Sequence, residues 1–145
     1  MKRTIEANFF PQVVESIKEK ARILLVDNNH DFTHSAKFAL EMRGPYFVCE
    51  ENDARKAHYT AQGFKPDLIL LDIAMPEIDG GDVAAQIQSD PALHRVPIVF
   101  LTALVRKAEG KSGLRIQGHP FLAKPISVPE LIEGIEENLP ARGSF

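Results

Sequence analysis

The sequence contains a single cysteine, no tryptophan and no long apolar run. Cys49 alone cannot form an internal disulfide, and five scattered histidines do not supply the ligand spacing of a Cys/His metal cluster. No stretch approaches the roughly 20 apolar residues that a transmembrane helix requires. The first ten residues lack the apolar core of a secretory signal. We therefore expect a cytoplasmic protein with no membrane partner.

The chain also lacks an excess of positive charge. The 145 residues include 17 Lys and Arg against 20 Asp and Glu, a formal net charge of −3. A weakly acidic chain lacks the basic surface typical of nucleic-acid binders, so we expect no direct nucleic-acid partner. The length fits one domain. We expect that domain at 21–140, between an N-terminal extension at 1–20 and a tail at 141–145.

The extension has the apolar spacing of a short helix beginning near Pro11. Val13, Val14, Ile17 and Ala21 would lie on one side of it. Such a helix would either lie on the domain or dock a partner.

Short aliphatic runs alternate with helical stretches along the rest of the chain. The runs predict buried strands at 22–27, 46–49, 67–72, 97–102 and 120–123. The helical stretches are 31–44 with Asp31 as N-cap, 54–62 closed by Gly63, 82–88 opened by Gly80 and Gly81, and 129–139. The stretch 103–118 is undecided, because Gly110 and Gly113 interrupt it. The alternation predicts an α/β fold, a doubly wound five-stranded parallel sheet with helices on both faces.

Polar side chains stand at the carboxyl ends of these strands, where open parallel sheets bind ligands. The first strand leads to Asp27 and Asn28, the third to Asp72, the fourth to Thr102 and the fifth to Lys124. Two acids, an amide, a hydroxyl and an ammonium would thus converge at one edge. This set can hold a hard divalent cation and can also receive the oxygens of a phosphoryl group.

Four motifs carry a resemblance to a known family. They are ILLVDNN at 23–29, LILLDIAMPEIDGG at 68–81, IVFLTA at 98–103 and PFLAKP at 120–125. In this order, with 45, 30 and 22 residues separating their functional positions, they resemble the receiver domain of two-component response regulators over about 21–139. The resemblance implies a flavodoxin-like strand order 2-1-3-4-5. It also implies the stand-alone, chemotaxis-regulator-like type, since no second domain follows in this sequence.

The resemblance implies a role for each strand-end residue. Asp72 would accept a phosphoryl group, assisted by Lys124 and Thr102, and Thr102 and Phe121 would form the conformational switch. Phe121 is also compatible with a plain core phenylalanine. Mg²⁺ would be held by Asp72 together with Asp27, Asn28 and the backbone carbonyl of Ala74. The protein would be a phosphoacceptor switch rather than an enzyme, with at most slow self-dephosphorylation.

The implied partners are a sensor histidine kinase or histidine phosphotransfer protein and a downstream protein target. The target would bind the face made by the fourth helix, the fifth strand and the fifth helix. The stretch 104–118 carries four bases against Glu109, whereas 129–139 carries four glutamates and no base. These opposite charges predict either a symmetric homodimer or an acidic partner, and two solvated faces of a monomer remain the alternative. The glycines predict a short, displaced or mobile fourth helix.

Asn28 departs from the family pattern. Most receivers have a second acid at this position, so an amide predicts weaker Mg²⁺ binding and slower phosphorylation. A pseudo-receiver, an interaction module that takes no phosphate, is therefore one alternative. A haloacid-dehalogenase-type phosphatase is another, but that family expects an acid where Ala74 stands.

Overall fold

The computed structural model describes residues 20–103 and 115–140. Its strands are β1 (Ala21–Val26), β2 (Tyr46–Glu51), β3 (Leu68–Asp72), β4 (Ala74–Met75), β5 (Ile78–Asp79), β6 (Ile98–Thr102), β7 (Arg115–Ile116) and β8 (His119–Ala123). Its helices are α1 (His30–Arg43), α2 (Ala57–Phe64), α3 (Gly80–Gln88) and α4 (Val128–Asn138), with a 3₁₀ turn at Ala54–Lys56. The predictions for 1–19, 104–114 and 141–145 lie outside the described residues.

The main sheet has the order β2-β1-β3-β6-β8-β7. Its first five strands are parallel, which confirms the predicted fold class and strand order. A sixth strand, β7, pairs antiparallel with β8 and was not predicted. Gln117 and Gly118, with φ of 52° and 84°, form the two-residue turn between them, as hairpins with a matching twist require.

The sheet is buried on both faces. All five residues of β3 are buried, and they alternate between two apolar clusters. Ile69 and Leu71 face the cluster that includes residues of α2 and α3, whereas Leu68 and Leu70 face the cluster that includes residues of α1 and α4. This two-sided burial explains why the strands appear in the sequence as continuous aliphatic runs. It leaves only the strand ends to carry polar side chains.

Two helix ends differ from the predictions. The N-cap of α1 is Asn29, whose side chain accepts from the backbone N–H of Phe32 at 3.1 Å, and not Asp31, which lies in the first helical turn. Helix α2 continues through Gly63 and ends at Phe64. Lys65 adopts the left-handed conformation there, with φ of 56°, and its N–H donates to the carbonyl of Ala61 at 2.9 Å. The terminating residue is therefore a lysine in a position that favours glycine.

The starts of α3 and α4 follow capping chemistry. Gly80 and Gly81 lie inside the first turn of α3, and the Asp79 side chain accepts from Gly81 N–H at 2.7 Å. Ser127 and Glu130 form a reciprocal capping box at the start of α4. Within the described part of the chain, no helix is long and apolar enough to cross a membrane.

Candidate functional site at the carboxyl edge of the sheet

The polar residues predicted at the strand ends meet at one edge of the sheet. Asp27 follows β1, Asp72 ends β3, Thr102 ends β6 and Lys124 follows β8. The Nζ atom of Lys124 lies 2.5 Å from Oδ2 of Asp27 and 3.5 Å from Oδ2 of Asp72. The backbone N–H of Lys124 donates to the Thr102 carbonyl at 2.8 Å. Four strands thus supply one compact cluster.

Both carboxylates are buried and oriented. Asp27 is 1% exposed and Asp72 is 6% exposed. The backbone N–H of Asn29 donates to Oδ1 of Asp27 at 2.9 Å, and that of Ala74 donates to Oδ1 of Asp72 at 3.0 Å. These bonds direct the two Oδ2 atoms towards Lys124. Each acid is therefore held in one orientation by a backbone N–H.

The pair carries more negative charge than Lys124 neutralises. Burial is the largest influence on Asp72 and raises the pKa of its carboxyl group. The charge on Asp27 raises this pKa further, whereas the Ala74 N–H and Lys124 lower it. Among the residues that the structure describes, two carboxylates face one ammonium, which leaves one uncompensated charge in a partly dry site. A cation bound here would relieve that repulsion.

The donor chemistry fits a magnesium ion. Mg²⁺ prefers oxygen ligands and is commonly bound by one or two carboxylates with several waters. Among residues 20–103 and 115–140, no cluster of three or more His, Cys, Asp or Glu side chains is present, so the Asp27–Asp72 pair is not part of a larger acidic or soft-ligand cage. Asn28 is exposed beside Asp27 and can add an amide oxygen. The role of the Ala74 carbonyl as a ligand remains a prediction.

A cleft of about 370 Å³ opens beside this edge. It is bounded by Asn28, by the connection after β2 from Asn52 to Arg55, and by the β4–β5 hairpin from Met75 to Ile78. Arg55 pairs with Asp53, with its Nε 3.0 Å from Oδ1. The cleft gives solvent and small molecules a route to the side of the cluster where Asn28 lies.

The two predicted switch residues are buried. Thr102 is 0% exposed at the end of β6. Phe121 is 5% exposed and belongs to the apolar cluster that contains residues of α2 and α3. Phe121 opposes Phe100 across the β6–β8 pair. The side chain therefore packs as a core phenylalanine in this structure, and its movement in a switch remains a prediction.

Sequence reasoning missed the structural roles of Gly80 and Asn52. A Cβ atom on Gly80 would lie 2.6 Å from the carbonyl oxygen of Asp72 and 2.6 Å from Cα of Ile73. Only glycine lets α3 begin this close to the end of β3. The paired glycines were a visible signal for it, but Asn52, which donates to the Asp27 carbonyl at 2.7 Å, lies in an unremarkable polar stretch.

Comparison with known proteins identifies the family. The family model described as the response regulator receiver domain matches residues 23–136. Response regulator Rre1 of Synechocystis is 35% identical over 129 residues, covering 86% of this chain and 53% of Rre1. The polar-differentiation response regulator DivK of Brucella anthropi is 29% identical over 117 residues, covering 81% of this chain and 94% of DivK.

Solved structures share the fold. The chemotaxis protein CheY4 of Vibrio cholerae superposes with a TM-score of 0.72 at 24% identity, covering 83% of this chain and 99% of CheY4. This chain spans about half the length of the longer curated relatives that it matches, such as 53% for Rre1 and 44% for the probable transcriptional regulator ycf27 of Guillardia theta. From the family match and the shared fold, the chain belongs to the response regulator receiver domain family.

Proposed function

We propose that Asp72 accepts a phosphoryl group from a phosphohistidine of a sensor histidine kinase or a histidine phosphotransfer protein. The observation that carries this proposal is the pair of buried carboxylates at the carboxyl edge, bridged by Lys124. A surface acid would be solvated and unpaired, whereas Asp72 is oriented by the Ala74 N–H and has a cation within reach. This arrangement positions a carboxylate for attack and supplies positive charge for the group that it receives.

In the proposed reaction, the P–N bond of the phosphohistidine breaks and an O–P bond forms on Asp72. The electron pair of the broken bond stays with the imidazole of the partner. Mg²⁺ held by Asp27, Asp72, Asn28 and the Ala74 carbonyl would neutralise charge on the phosphoryl oxygens. Lys124 would move its contact from the acids to one of those oxygens. Phosphoryl transfer requires such positioning and charge neutralisation more than covalent activation.

The proposed output is a change in a protein-binding surface. The hydroxyl of Thr102 would turn towards a phosphoryl oxygen, and Phe121 would fill the space behind it. Because Phe121 lies on β8, the change would reach the surface formed by β8, α4 and the predicted fourth helix. A downstream protein would bind there. A homodimer through this face, a stand-alone mode of action and a cytoplasmic location remain predictions.

Mass spectrometry after incubation with phosphoramidate and Mg²⁺ tests the proposal. We expect one adduct of about 80 Da that hydroxylamine removes, as it removes acyl phosphates. Asp72→Asn should abolish the adduct. Asp82→Asn, which neutralises an exposed acid on α3, should retain it. An adduct that persists in Asp72→Asn would place the phosphorylation elsewhere.

Asn28 supports a second candidate function. An amide at this exposed position beside Asp27 contributes no charge to a metal site. A pseudo-receiver that signals by binding alone would show no adduct in the wild-type protein at any Mg²⁺ concentration, and Asn28→Asp would then be expected to create one. The match to the receiver family over residues 23–136 favours a receiver over the phosphatase alternative.

A further inference from the structure

The β1–β2 ladder ends with a side chain in place of a backbone donor. The Asp27 N–H donates to the Glu51 carbonyl at 3.1 Å. A regular parallel ladder would continue with the Asp53 N–H donating to the Asp27 carbonyl. Instead, the Asp53 N–H donates to Oε2 of Glu51 at 3.0 Å, and Nδ2 of Asn52 donates to the Asp27 carbonyl at 2.7 Å.

The same Asn52 nitrogen also contacts α1. It lies 2.9 Å from Oγ1 of Thr33, which is fully buried, and Oγ1 of Thr33 donates to Oε1 of Glu50 at 2.7 Å. The side-chain amide of Asn52 therefore uses both of its N–H groups to connect the end of β1 with the first turn of α1. The segment between these two anchor points contains Asp27, Asn28 and Asn29. One amide thus holds both ends of the loop that borders the acidic cluster.

We propose that Asn52 is a positioning residue for the candidate metal site. Its amide sets the direction of the peptide between Asp27 and Asn28, and thereby places the Asp27 carboxylate and the Asn28 amide towards the ion. Asn52 also borders the same cleft as Asn28. The inference rests on the proposed function, because its consequence is the affinity for Mg²⁺.

The side chain at position 52 has to donate two hydrogen bonds from one nitrogen, one to the Asp27 carbonyl and one to Oγ1 of Thr33. An aspartate at 52 would place a carboxylate oxygen against the Asp27 carbonyl oxygen. An alanine would leave that carbonyl, in a residue that is 1% exposed, without its hydrogen bond. The loop would then rotate to find another donor, and the Asp27 carboxylate and the Asn28 amide would no longer be held in the positions proposed for metal binding.

The experiment compares Asn52→Ala with a matched control. Asn138→Ala removes the same kind of bond, from Nδ2 of Asn138 to the Gly134 carbonyl at 2.8 Å, in the last turn of α4. The Mg²⁺ dissociation constant is measured by NMR from the backbone amides of Asn28, Asn29 and Ala74. We expect affinity about 10-fold weaker in Asn52→Ala, the size of loss typical for outer-shell partners of metal ligands. The control should bind as the wild type does.

Kinetics separate positioning from a general loss of structure. With phosphoramidate as donor, Asn52→Ala should need more Mg²⁺ for half-maximal phosphorylation but approach the wild-type rate at saturating Mg²⁺. If Asn52→Ala does not fold, Thr33→Val, which removes the hydroxyl that accepts from Asn52 and donates to Glu50, should weaken Mg²⁺ binding about 3-fold, equivalent to roughly 0.6 kcal/mol. If the variant that folds binds Mg²⁺ as tightly as the wild type, the positioning role of Asn52 is overturned and the proposed function still stands. Absence of Mg²⁺ binding and of the phosphoryl adduct in the wild type overturns the proposed function with it.

Discussion

Lys124 is shared unequally between the two buried acids. Its Nζ lies 2.5 Å from Oδ2 of Asp27 but 3.5 Å from Oδ2 of Asp72, and the Asp27 side chain is 1% exposed against 8% for Asp72. The ammonium therefore compensates chiefly the deeper acid. Asp72 keeps the weaker contact and the greater access to solvent, which fits the phosphoacceptor role proposed for it.

Lys124→Met should destabilise the protein near neutral pH, because it leaves two buried carboxylates without a cation. Removing one partner of a buried pair costs about 3 kcal/mol in the free energy of unfolding. Urea denaturation with and without Mg²⁺ checks this. We expect added Mg²⁺ to recover more stability in the variant than in the wild type. Equal recovery in both proteins would show that the ion does not bind at the acids.

Asn28→Asp should tighten Mg²⁺ binding about 10-fold, corresponding to roughly 1.4 kcal/mol. The added carboxylate attracts the ion but repels Asp27 and Asp72 in its absence, so the metal-free variant should unfold at a lower temperature. An NMR titration and a thermal unfolding curve measure the two effects. Asn29→Asp is the control, since it adds the same charge at a helix N-cap that tolerates aspartate. Equal tightening by both variants would mean that position 28 does not face the ion.

Gly80→Ala and Gly81→Ala should lower the free energy of unfolding by different amounts. At Gly80 the new methyl group would meet the Asp72 carbonyl oxygen and Cα of Ile73, which are backbone atoms at 2.6 Å. We expect a loss of about 1–3 kcal/mol and slower phosphorylation, because the end of β3 must shift. At Gly81 the methyl group meets the side-chain amide of Gln117, which can move away. If the two variants have similar stabilities towards denaturant and similar phosphorylation rates, the close backbone contact specific to Gly80 is contradicted.

Gly63→Ala should stabilise the protein. Gly63 lies inside α2, and a Cβ atom there would have no neighbour within 4 Å. Alanine is favoured over glycine by about 1 kcal/mol in a helix interior. Gly118→Ala is the contrasting variant, since its Cβ atom also meets open space but its φ is 84°. The midpoint temperature of thermal unfolding should rise for Gly63→Ala and fall for Gly118→Ala. A fall for both would place the end of α2 before Gly63.

Asp90 should contribute a pH-dependent part of the stability. Its hydrogen bond with Nε2 of His58 at 2.9 Å, then those with Gln62 and the Ala92 N–H, lower its pKa to about 2. An unfolded aspartate titrates near 3.9, about the reference value. The folded carboxyl thus binds its proton more weakly, so its contribution is present above pH of about 4 and disappears as the pH falls through about 2. The difference in unfolding free energy between wild type and Asp90→Asn should shrink over this range. A difference that stays constant would rule out this contribution.

The arrangement of strands and acids was visible in the linear chain. The aliphatic runs predicted five buried parallel strands because a strand covered on both faces needs apolar residues along its length, and β3 and β6 are apolar at every position except the last. The placement of Asp27, Asp72, Thr102 and Lys124 at one edge followed from the direction of parallel strands.

Tertiary structure decided what depended on contacts between distant residues. Helix α2 ends at Phe64, with Lys65 as its C-cap, and not before Gly63 as predicted. Helix propensities differ by only about 1 kcal/mol between residues, so they do not fix where a helix ends. The β7 strand exists through its pairing with β8. The hydrogen bond from the Asn52 side chain to the Asp27 carbonyl joins residues that lie 25 positions apart along the chain. Sequence by itself determined which polar groups gather at the edge, because strand direction follows from the pattern of burial. Their orientations, and the unequal sharing of Lys124, were decided only by folding, because a hydrogen bond depends on tenths of an ångström that no pattern of residue types encodes.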